Sequence, residues 1–355
     1  MAIARKSTET GLQSGARRFF IAHNRSPDAA GMIIIIGAGI IGLSCAWRLA
    51  QRGIEVALFD ARKAAGDASW AAAGMLAPGS EMDGPLEVAA LGIRSARAWP
   101  AFATELQLES GLPIDYRACG AHEFADAEII RRRTQHLHGL GIRIFAAEGY
   151  WHYPDDAIVD PREANAALLE ACRRRGVELH EQEPVLEISA NGTSVRTSVR
   201  QYQASAVVIA AGARSSGLFP GLPRTMPIRG HLLSWRMPPG ELPVILRQGH
   251  TYLFQRTSGL VVAGSTTEHV GWDERLDAGA IVELHARAVQ LFTRLENLQP
   301  DDKWIGFRPG IDAPGPAIGR IPATRVWTAF GHYRNGILMA PETARMIAEQ
   351  IADAD

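Results

Sequence analysis

The sequence predicts an α/β fold, in which a Rossmann-like domain that is discontinuous in sequence joins a second domain built on an antiparallel sheet. Three observations predict it. A glycine-rich turn follows the apolar strand at 32–36. A second apolar strand, predicted over 206–212, also ends in glycine, which is typical of a strand that returns to the first sheet. Between 229 and 304, short strands separated by turns indicate an antiparallel sheet.

The glycine-rich turn at 37–42 has the pattern G-x-G-x-x-G and opens a helix. Gly37 lets the chain turn tightly, Gly39 lets backbone N–H groups approach a pyrophosphate, and Gly42 lets the helix pack closely on the strand. The N-terminus of the helix adds a partial positive charge that faces the phosphates. The turn therefore predicts a dinucleotide site.

The next elements continue the same unit. Apolar residues recur at helical spacing after the turn, and Gly53 is placed to end that helix. Residues 56–59 form a second buried strand with Asp60 at its end. Asp60 lies roughly 20 residues past the glycines, where an acidic side chain accepts hydrogen bonds from ribose hydroxyls. The alternative for Asp60 is a solvated acid in a turn.

Size and charge narrow the class of protein. The 355 residues can hold one large or two ordinary domains, and 46% of them are apolar, which is enough for a sizeable core. The net charge of −1 gives no electrostatic reason to expect a nucleic acid or an anionic membrane as partner. No apolar run reaches membrane-spanning length. We therefore expect a cytoplasmic protein with no nucleic-acid or membrane partner.

The cysteines and histidines do not indicate a metal site. Cys45, Cys119 and Cys172 show no C-x-x-C spacing, so buried free thiols in a reducing compartment are favoured over disulfides or a metal. His136 and His138 lie two apart on a predicted helix and cannot share one face. We expect no bound metal.

Residues 1–31 differ in character from the rest. They are basic and poor in acids, as organelle transit peptides are, and they show little periodicity. The favoured alternative is a disordered or extra N-terminal segment, or a start codon assigned too early, because Met32 begins the first strand directly.

Further elements follow from periodicity and capping. We predict a helix over 86–110, a solvated surface helix headed by 131–133, and a helix that begins at Asp160-Pro161 and ends at Gly176. The remaining predictions, in order, are strands at 177–179, 185–188 (followed by an Asn191-Gly192 hairpin turn), 206–212, 232–235, 251–254 and 260–263, a helix over 278–298, a loop over 306–310, a strand at 326–330 and a closing helix from about 341 to 352.

Three segments favour a flavin over a nicotinamide. Nicotinamide enzymes continue after the second strand with another helix and parallel strand, whereas this chain has small side chains over 68–76. Such a run lets the backbone approach a flat ring, although it could also be an ordinary start of a helix. The segments 210–212 and 331–337 both fit a flavin site.

Together these motifs resemble the D-amino-acid oxidase family of FAD-dependent enzymes. The resemblance covers the chain from Met32 onward, and its most specific part is the run G-H-Y-R-N-G-I-L-M-A-P at 331–341. The other matching segments are 35–42, 69–76, 207–212 and 307–310. The resemblance implies a Rossmann-like FAD-binding domain over 32–90, 155–228 and 305–355, and a substrate domain over 91–154 and 229–304.

The family pattern also implies the residues that contact FAD. They are Gly37, Gly39, Ile40, Ile41 and Gly42 at the pyrophosphate, Asp60 at the ribose, Ala68, Ser69, Ala73, Gly74 and Met75 beside the flavin and its linker, Val185 near the adenine, Gly212, and His332, Tyr333, Arg334, Asn335, Gly336, Ile337 and Leu338 along the pyrimidine edge of the flavin. The cysteine that binds flavin covalently in sarcosine oxidase relatives has no counterpart after Cys172, so we expect non-covalent FAD.

The same resemblance places Arg308, Tyr252 and Arg334 at the substrate. An amino-acid carboxylate needs a planar, bidentate donor, which arginine supplies and lysine does not, and a phenol adds an O–H donor. The alternatives are a surface salt bridge for Arg308 and a structural role for Arg334; His332 is expected to be structural. The pair Gly230-His231 departs from the family, where glutamine or glutamate is common after the glycine, and Ile311-Asp312-Ala313-Pro314 replaces an acidic-glycine turn.

The resemblance implies oxidative deamination of a small amino acid, with glycine the expected substrate, to an imine while molecular oxygen becomes peroxide. Orientation and desolvation would do most of the work, without a side-chain base. A thiazole synthase of thiamine biosynthesis is an implied partner, and a homo-oligomer is implied as well. Three alternatives remain: a D-amino-acid or sarcosine-type dehydrogenase with another acceptor, a tRNA-modifying FAD module, which the charge argues against, and a non-catalytic flavin-binding protein, which Arg308 and Tyr252 argue against.

Overall fold

A computed structural model describes residues 31–81 and 84–354, so the expectations for residues 1–30 lie outside the described part of the chain. The described residues form seven α-helices and twenty strands. In chain order these are β1 (Ile33–Ile36), α1 (Ile40–Gln51), β2 (Val56–Phe59), α2 (Ala68–Ala71), β3 (Met75–Leu76), α3 (Leu86–Ser110), β4 (Tyr116–Arg117), β5 (Ala121–Glu123), α4 (Ala127–His136), β6 (Phe145–Ala147), β7 (Tyr150–Tyr153), β8 (Ala157–Val159), α5 (Pro161–Arg174), β9 (Glu178–His180), β10 (Val185–Ile188), β11 (Ser194–Thr197), β12 (Gln201–Gln203), β13 (Ala206–Ile209), β14 (Thr225–Arg236), β15 (Ile245–Gln248), β16 (Thr251–Gln255), β17 (Leu260–Gly264), α6 (Ala278–Leu291), β18 (Asp302–Ile311), β19 (Ala317–Arg320), β20 (Val326–Phe330) and α7 (Gly336–Ala352).

A six-stranded sheet forms the Rossmann-like half, in the order β19-β20-β13-β1-β2-β9. The central strand β1 pairs in parallel with β2, Ile33 opposite Val56, and with β13, Ile33 opposite Ala206. All four β1 residues are buried, as in parallel sheets that are covered on both faces. The predicted return of 206–212 to the first sheet is confirmed, with the strand ending at Ile209.

Helices α1, α3, α5 and α7 pack against one another beside this sheet. Their large side chains Trp47, Trp99 and Phe102 are fully buried in its core. Residues 91–110 thus pack on the nucleotide side, and the predicted domain boundaries at 90/91 and 304/305 fall inside α3 and β18. The division into two domains stays a prediction.

The closing helix begins at Gly336, five residues before the predicted start, so Pro341 lies inside it. A proline in a helix removes the N–H that would bond the carbonyl four residues earlier. Here the Trp99 indole Nε1 donates to the carbonyls of Ile337 (3.2 Å) and Leu338 (3.0 Å). The Glu342 N–H donates instead to the Ser95 hydroxyl. Helix α3 therefore supplies the partners that Pro341 displaces.

The second sheet has eight strands in the order β18-β14-β17-β16-β15-β5-β7-β6. Its neighbours are antiparallel except for β15 and β5. The predicted antiparallel strands at 232–235, 251–254 and 260–263 are confirmed. The prediction of a loop over 306–310 is wrong, because this segment lies in β18 and pairs with β14 along its length.

The glycines and proline of this segment led to the loop prediction. Pro309 lies opposite Pro227, and two prolines have no N–H with which to bond each other. Because β18 is at the edge of the sheet, the N–H that Pro309 lacks costs no ladder bond.

Two other elements differ from expectation. Helix α6 ends at Leu291, and a short 3₁₀ turn, Thr293–Leu295, then carries Leu295 into the core. The surface helix α4 is solvated at Arg131 and Arg132, but Arg133 turns inward to pair with Glu123 at 2.6 Å. Within the described ranges, no helix combines the length and apolarity needed to cross a membrane.

Candidate active site

A cavity of about 890 Å³ lies where the carboxyl ends of β1, β2 and β13 meet the eight-stranded sheet. Ligands of doubly wound α/β sheets bind at this edge. Lining residues from the first sheet include Gly37 and Asp60, and those from the second include Tyr252 and Arg308. The nucleotide and substrate motifs therefore open into one space.

The glycine-rich turn adopts the backbone that its sequence predicts. Gly37 has φ +106°, and a Cβ there would lie 2.4 Å from the Ala210 carbonyl oxygen. A Cβ at Gly42 would lie 1.8 Å from the Gly37 carbonyl oxygen, so α1 approaches β1 as closely as a glycine allows. A Cβ at Gly39 would lie 3.1 Å from the Ser69 hydroxyl.

Polar groups around the turn fit a dinucleotide. The Ile40 N–H donates to the Ser69 hydroxyl at 2.9 Å, which leaves the hydroxyl proton free to point to a phosphate. The Asp60 carboxylate accepts from the N–H groups of Ala38 (2.7 Å) and Arg62 (2.8 Å). Burial raises the pKa of Asp60, and these two donors lower it in part. Unused lone pairs remain for ribose hydroxyls.

Most residues predicted to contact FAD line this cavity. They are Gly37, Gly39, Ile40, Ile41, Asp60, Ala68, Ser69, Ala73, Gly74, Met75, Val185, Gly212, His332, Tyr333, Arg334, Gly336 and Ile337. Three do not: Gly42 packs under the turn, Asn335 lines a neighbouring cavity, and Leu338 is buried in the core. None of the three cysteines lines the cavity.

Arg308 points into the cavity from β18. Its guanidinium donates to the Ser265 hydroxyl (2.5 Å) and the Thr266 carbonyl (3.1 Å), which uses two of its five N–H groups. A Cβ at Gly230 on the neighbouring strand β14 would lie 2.5 Å from Arg308 Nη1. The arginine therefore lies flat over Gly230, and a surface salt bridge is not its role in this structure.

Tyr252 reaches the same place from β16. It lies opposite Gly264 of β17, where a Cβ would come within 2.3 Å of the phenolic oxygen. Ser265, whose hydroxyl accepts from Arg308, also lies near the phenol and counteracts part of the rise in the pKa of Tyr252. Burial is the main cause that raises the pKa of Tyr252, so the phenol keeps its proton.

Arg334 lines the same cavity. Its guanidinium lies 3.6 Å from the Glu81 carboxylate and donates to the Tyr333 hydroxyl at 3.1 Å. Burial lowers its pKa, but Glu81 and Tyr333 outweigh that effect and the net shift is upward. The guanidinium is charged and already has an anionic neighbour.

The histidines next to the cavity are not poised for proton transfer. His332 is buried, its Nε2 bonds with the Thr343 hydroxyl at 3.1 Å, and burial lowers its pKa to about 3. His231 has no exposed surface: its Nε2 accepts the Asp277 N–H (3.0 Å), and its Nδ1 bonds with Glu268 (2.8 Å). Both rings have structural partners.

Sequence reasoning missed several residues of this site. Ser265 and Thr266 follow β17 without any motif, Glu81 lies in a glycine- and proline-rich loop, and Gly264 resembles any glycine that ends a strand. Gly230 was noticed only as part of a departure from the family pattern. Cross-strand pairing is what gives these residues a role.

Comparison with known proteins agrees with this geometry. The family model described as FAD dependent oxidoreductase matches residues 32–350, and the chain belongs to this family. Its members are FAD-dependent, so this chain is an FAD-dependent oxidoreductase.

Within this family, the chain is similar to several glycine oxidases and to a bifunctional relative. A glycine oxidase from Bacillus licheniformis is 33% identical over 90% of this chain and 92% of the relative. The crystal structure of glycine oxidase from Geobacillus kaustophilus superposes with a TM-score of 0.85 and 28% identity over 91% of this chain and 95% of that one. A bifunctional protein ThiO/ThiG from Synechocystis sp. is 35% identical over 90% of this chain, which spans about half (51%) of that relative.

Proposed function

We propose that this chain catalyses the FAD-dependent oxidative deamination of glycine, or of a similar small amino acid, to an imine with release of peroxide. The observation that carries the proposal is the convergence of Arg308 and Tyr252 over Gly230 and Gly264, in the cavity that also holds the dinucleotide turn. The glycine oxidases to which the chain is similar along almost its whole length support it.

Arg308 binds the substrate carboxylate with the N–H groups that Ser265 and Thr266 leave free. Tyr252, protonated at working pH, donates to the same carboxylate. The two residues hold the acid at one end of the molecule, so that the Cα–H faces the small-residue segment 68–75, where we place the flavin. When bound, FAD supplies the acceptor for the hydride and passes its electrons to oxygen.

Charged and polar side chains line the substrate end of the cavity. Arg308 and Tyr252 lie over Gly230 and Gly264, and Arg334 lies 3.6 Å from the Glu81 carboxylate. Since His332 stays neutral and tied to Thr343, the substrate amine must arrive as the free base or lose its proton to solvent. Catalysis then depends on orientation and desolvation.

The decisive experiment is anaerobic mixing of the yellow holoprotein with glycine, sarcosine and D-alanine, followed by absorbance. Bleaching by glycine with peroxide formation on admission of air is the expected result. Bleaching by D-alanine or sarcosine alone would move the assignment to a D-amino-acid or sarcosine-type enzyme. Bleaching by none of the three would remove the amine-oxidase proposal.

The Arg308→Lys variant tests the proposed carboxylate contact. Lysine keeps the charge but has no planar, bidentate donor, so we expect KM for the amine to rise at least tenfold with the FAD spectrum retained. Arg196→Lys, an exposed arginine paired with Glu187 on β10, is the matched control. An unchanged KM in Arg308→Lys would remove Arg308 from this role.

We further propose that the imine passes to a thiazole synthase of thiamine biosynthesis. Support comes from the bifunctional ThiO/ThiG relatives, which combine a part similar to this chain with a second part. A cytoplasmic location and a homo-oligomer belong to the same proposal. Co-purification with a thiazole synthase would test the partner, and light scattering of the holoprotein would test the oligomer.

A further inference from the structure

A buried arginine that no part of the proposed reaction uses lies behind the small-residue segment. Arg256 follows β16 and is 6% exposed. Its Nη2 donates to the Ala73 carbonyl at 2.7 Å, its Nη1 donates to the Val159 carbonyl at 3.2 Å, and its Nε lies 3.2 Å from the Asp160 carboxylate. One guanidinium therefore fixes two backbone carbonyls on neighbouring segments of the chain.

One of those carbonyls would otherwise belong to Gly74. Strands β3 and β8 are antiparallel with Met75 opposite Ile158, which puts Gly74 opposite Val159. The Val159 N–H donates to the Gly74 carbonyl at 2.9 Å, so a regular ladder would return a bond from the Gly74 N–H to the Val159 carbonyl. That return bond is not made, and Arg256 occupies the carbonyl in its place.

The Gly74 N–H is consequently free. Gly74 has φ +95°, which turns its amide out of the ladder. No residue within 31–81 or 84–354 accepts a hydrogen bond from it. In a trans peptide the carbonyl and the following N–H point in opposite directions, so an Ala73 carbonyl held by Arg256 sends the Gly74 N–H away from Arg256. Both residues line the cavity.

We propose that Arg256 is a positioning residue that keeps the Gly74 N–H free and directed at an acceptor atom of the flavin ring. The proposal rests on the placement of the flavin beside residues 68–75 and not on the identity of the amine substrate. A buried N–H without a protein partner is costly unless a ligand accepts its hydrogen bond. The flavin ring offers carbonyl oxygens and ring nitrogens as acceptors.

The arrangement has a measurable electronic consequence. Two-electron reduction makes the flavin ring more electron-rich, so a fixed N–H donor favours the reduced form. Losing one such hydrogen bond should lower the equilibrium constant for reduction about tenfold, which corresponds to about 30 mV for a two-electron couple. A purely structural arginine would leave this equilibrium unchanged.

The test compares FAD-loaded Arg256→Met and Arg256→Lys with the wild type. The control removes another buried arginine together with its partner, as Arg247→Met/Asp156→Asn, because this pair lies outside the cavity. The measurements are the reduction potential against a reference dye and the affinity for sulfite, which adds to oxidised flavin. Neither needs an amine substrate, so failure here is distinguishable from failure of the proposed function.

We expect Arg256→Met to lower the reduction potential of the flavin by about 30 mV and to weaken sulfite binding about tenfold. Arg256→Lys, which has one nitrogen in place of the two that bond the carbonyls, should fall between, and the control should match the wild type. If Arg256→Met does not fold, Arg256→Lys decides. A wild-type potential and sulfite affinity in the folded, flavin-loaded Arg256 variants would overturn the proposal, as would an equal shift in the control.

Discussion

The guanidinium of Arg308 lies directly over Gly230, with Nη1 2.5 Å from the position that a Cβ of residue 230 would occupy. The two residues are diagonal neighbours on adjacent strands, since Ile228 pairs with Arg308 and Gly230 with Gly306. Gly264 on β17 lies directly opposite Tyr252 on β16, and a Cβ there would likewise meet the phenolic oxygen, at 2.3 Å. Two glycines thus form the floor on which Arg308 and Tyr252, the two side chains proposed to bind the substrate, rest.

Gly230→Ala should therefore displace Arg308 without disturbing FAD. A methyl group in that position forces the guanidinium upward and away from Ser265 and Thr266. We expect KM for the amine substrate to rise at least tenfold while the flavin spectrum persists. Gly279→Ala in helix α6, remote from the cavity, is the matched control. Steady-state kinetics measure KM in both variants. A wild-type KM for Gly230→Ala would show that Arg308 has another position in solution.

Glu81→Gln should strengthen binding of simple carboxylates. Glu81 lies 3.6 Å from Arg334, where its charge competes with a ligand carboxylate for the guanidinium. Both side chains are partly exposed (17% and 21%), so the pair is worth less than about 1 kcal/mol, or up to about fivefold in affinity. Titration of the flavin absorbance with acetate measures the effect. Weaker acetate binding in Glu81→Gln would mean that Arg334 is not available to ligands.

Trp99→Phe should destabilise the protein through helix α7. The substitution keeps the aromatic ring but leaves the Ile337 and Leu338 carbonyls without the indole donor that replaces the N–H missing at Pro341. An unsatisfied buried acceptor costs about 1–3 kcal/mol. Urea unfolding of the FAD-loaded protein measures the loss.

Pro341→Ala provides the internal control for that prediction. An alanine restores the backbone N–H toward Ile337, so Trp99→Phe should cost less in the Pro341→Ala background than in the wild type. Equal costs in the two backgrounds would show that the indole stabilises the core by packing alone.

His332 predicts a specific loss of stability in acid. Burial lowers its pKa to about 3 in the folded protein, against an ordinary value of 6.5. Above pH 6.5 the imidazole is neutral in both the folded and the unfolded protein, so His332 adds no pH dependence to the free energy of unfolding. As pH falls below 6.5, His332 binds a proton in the unfolded protein but stays neutral in the folded protein. Its contribution therefore lowers the free energy of unfolding by about 1.4 kcal/mol per pH unit until about pH 3.

His332→Gln should remove that slope, because glutamine stays neutral and can still bond with Thr343. The measurement is the free energy of unfolding of both FAD-loaded proteins at pH 8, 6, 5 and 4. The difference between the variant and the wild type should move in favour of the variant as pH falls. Parallel curves for the two proteins would contradict the buried, neutral histidine.

Much of the fold could be predicted because its signals are local. The strand, glycine turn, helix and strand over 33–59 are encoded by periodicity and by glycines at positive φ. Asp160 and Pro161 start α5 as predicted, with the carboxylate capping the first turn. The errors at Gly306–Gly310 and Pro341 have one cause, since residues that break isolated strands and helices are tolerated where an edge position or a partner side chain removes the penalty.

The sequence by itself determined the dinucleotide turn and the run of small residues over 68–76, because each depends on backbone geometry within a few residues, and the family resemblance singled out Arg308 and Tyr252. Tertiary structure alone decided how those groups meet. The floor of Gly230 and Gly264, the bond from Arg308 to the Ser265 hydroxyl, and the Arg256 clamp join segments that are far apart in the chain. Register between strands, which no local pattern encodes, brings them within hydrogen-bonding distance.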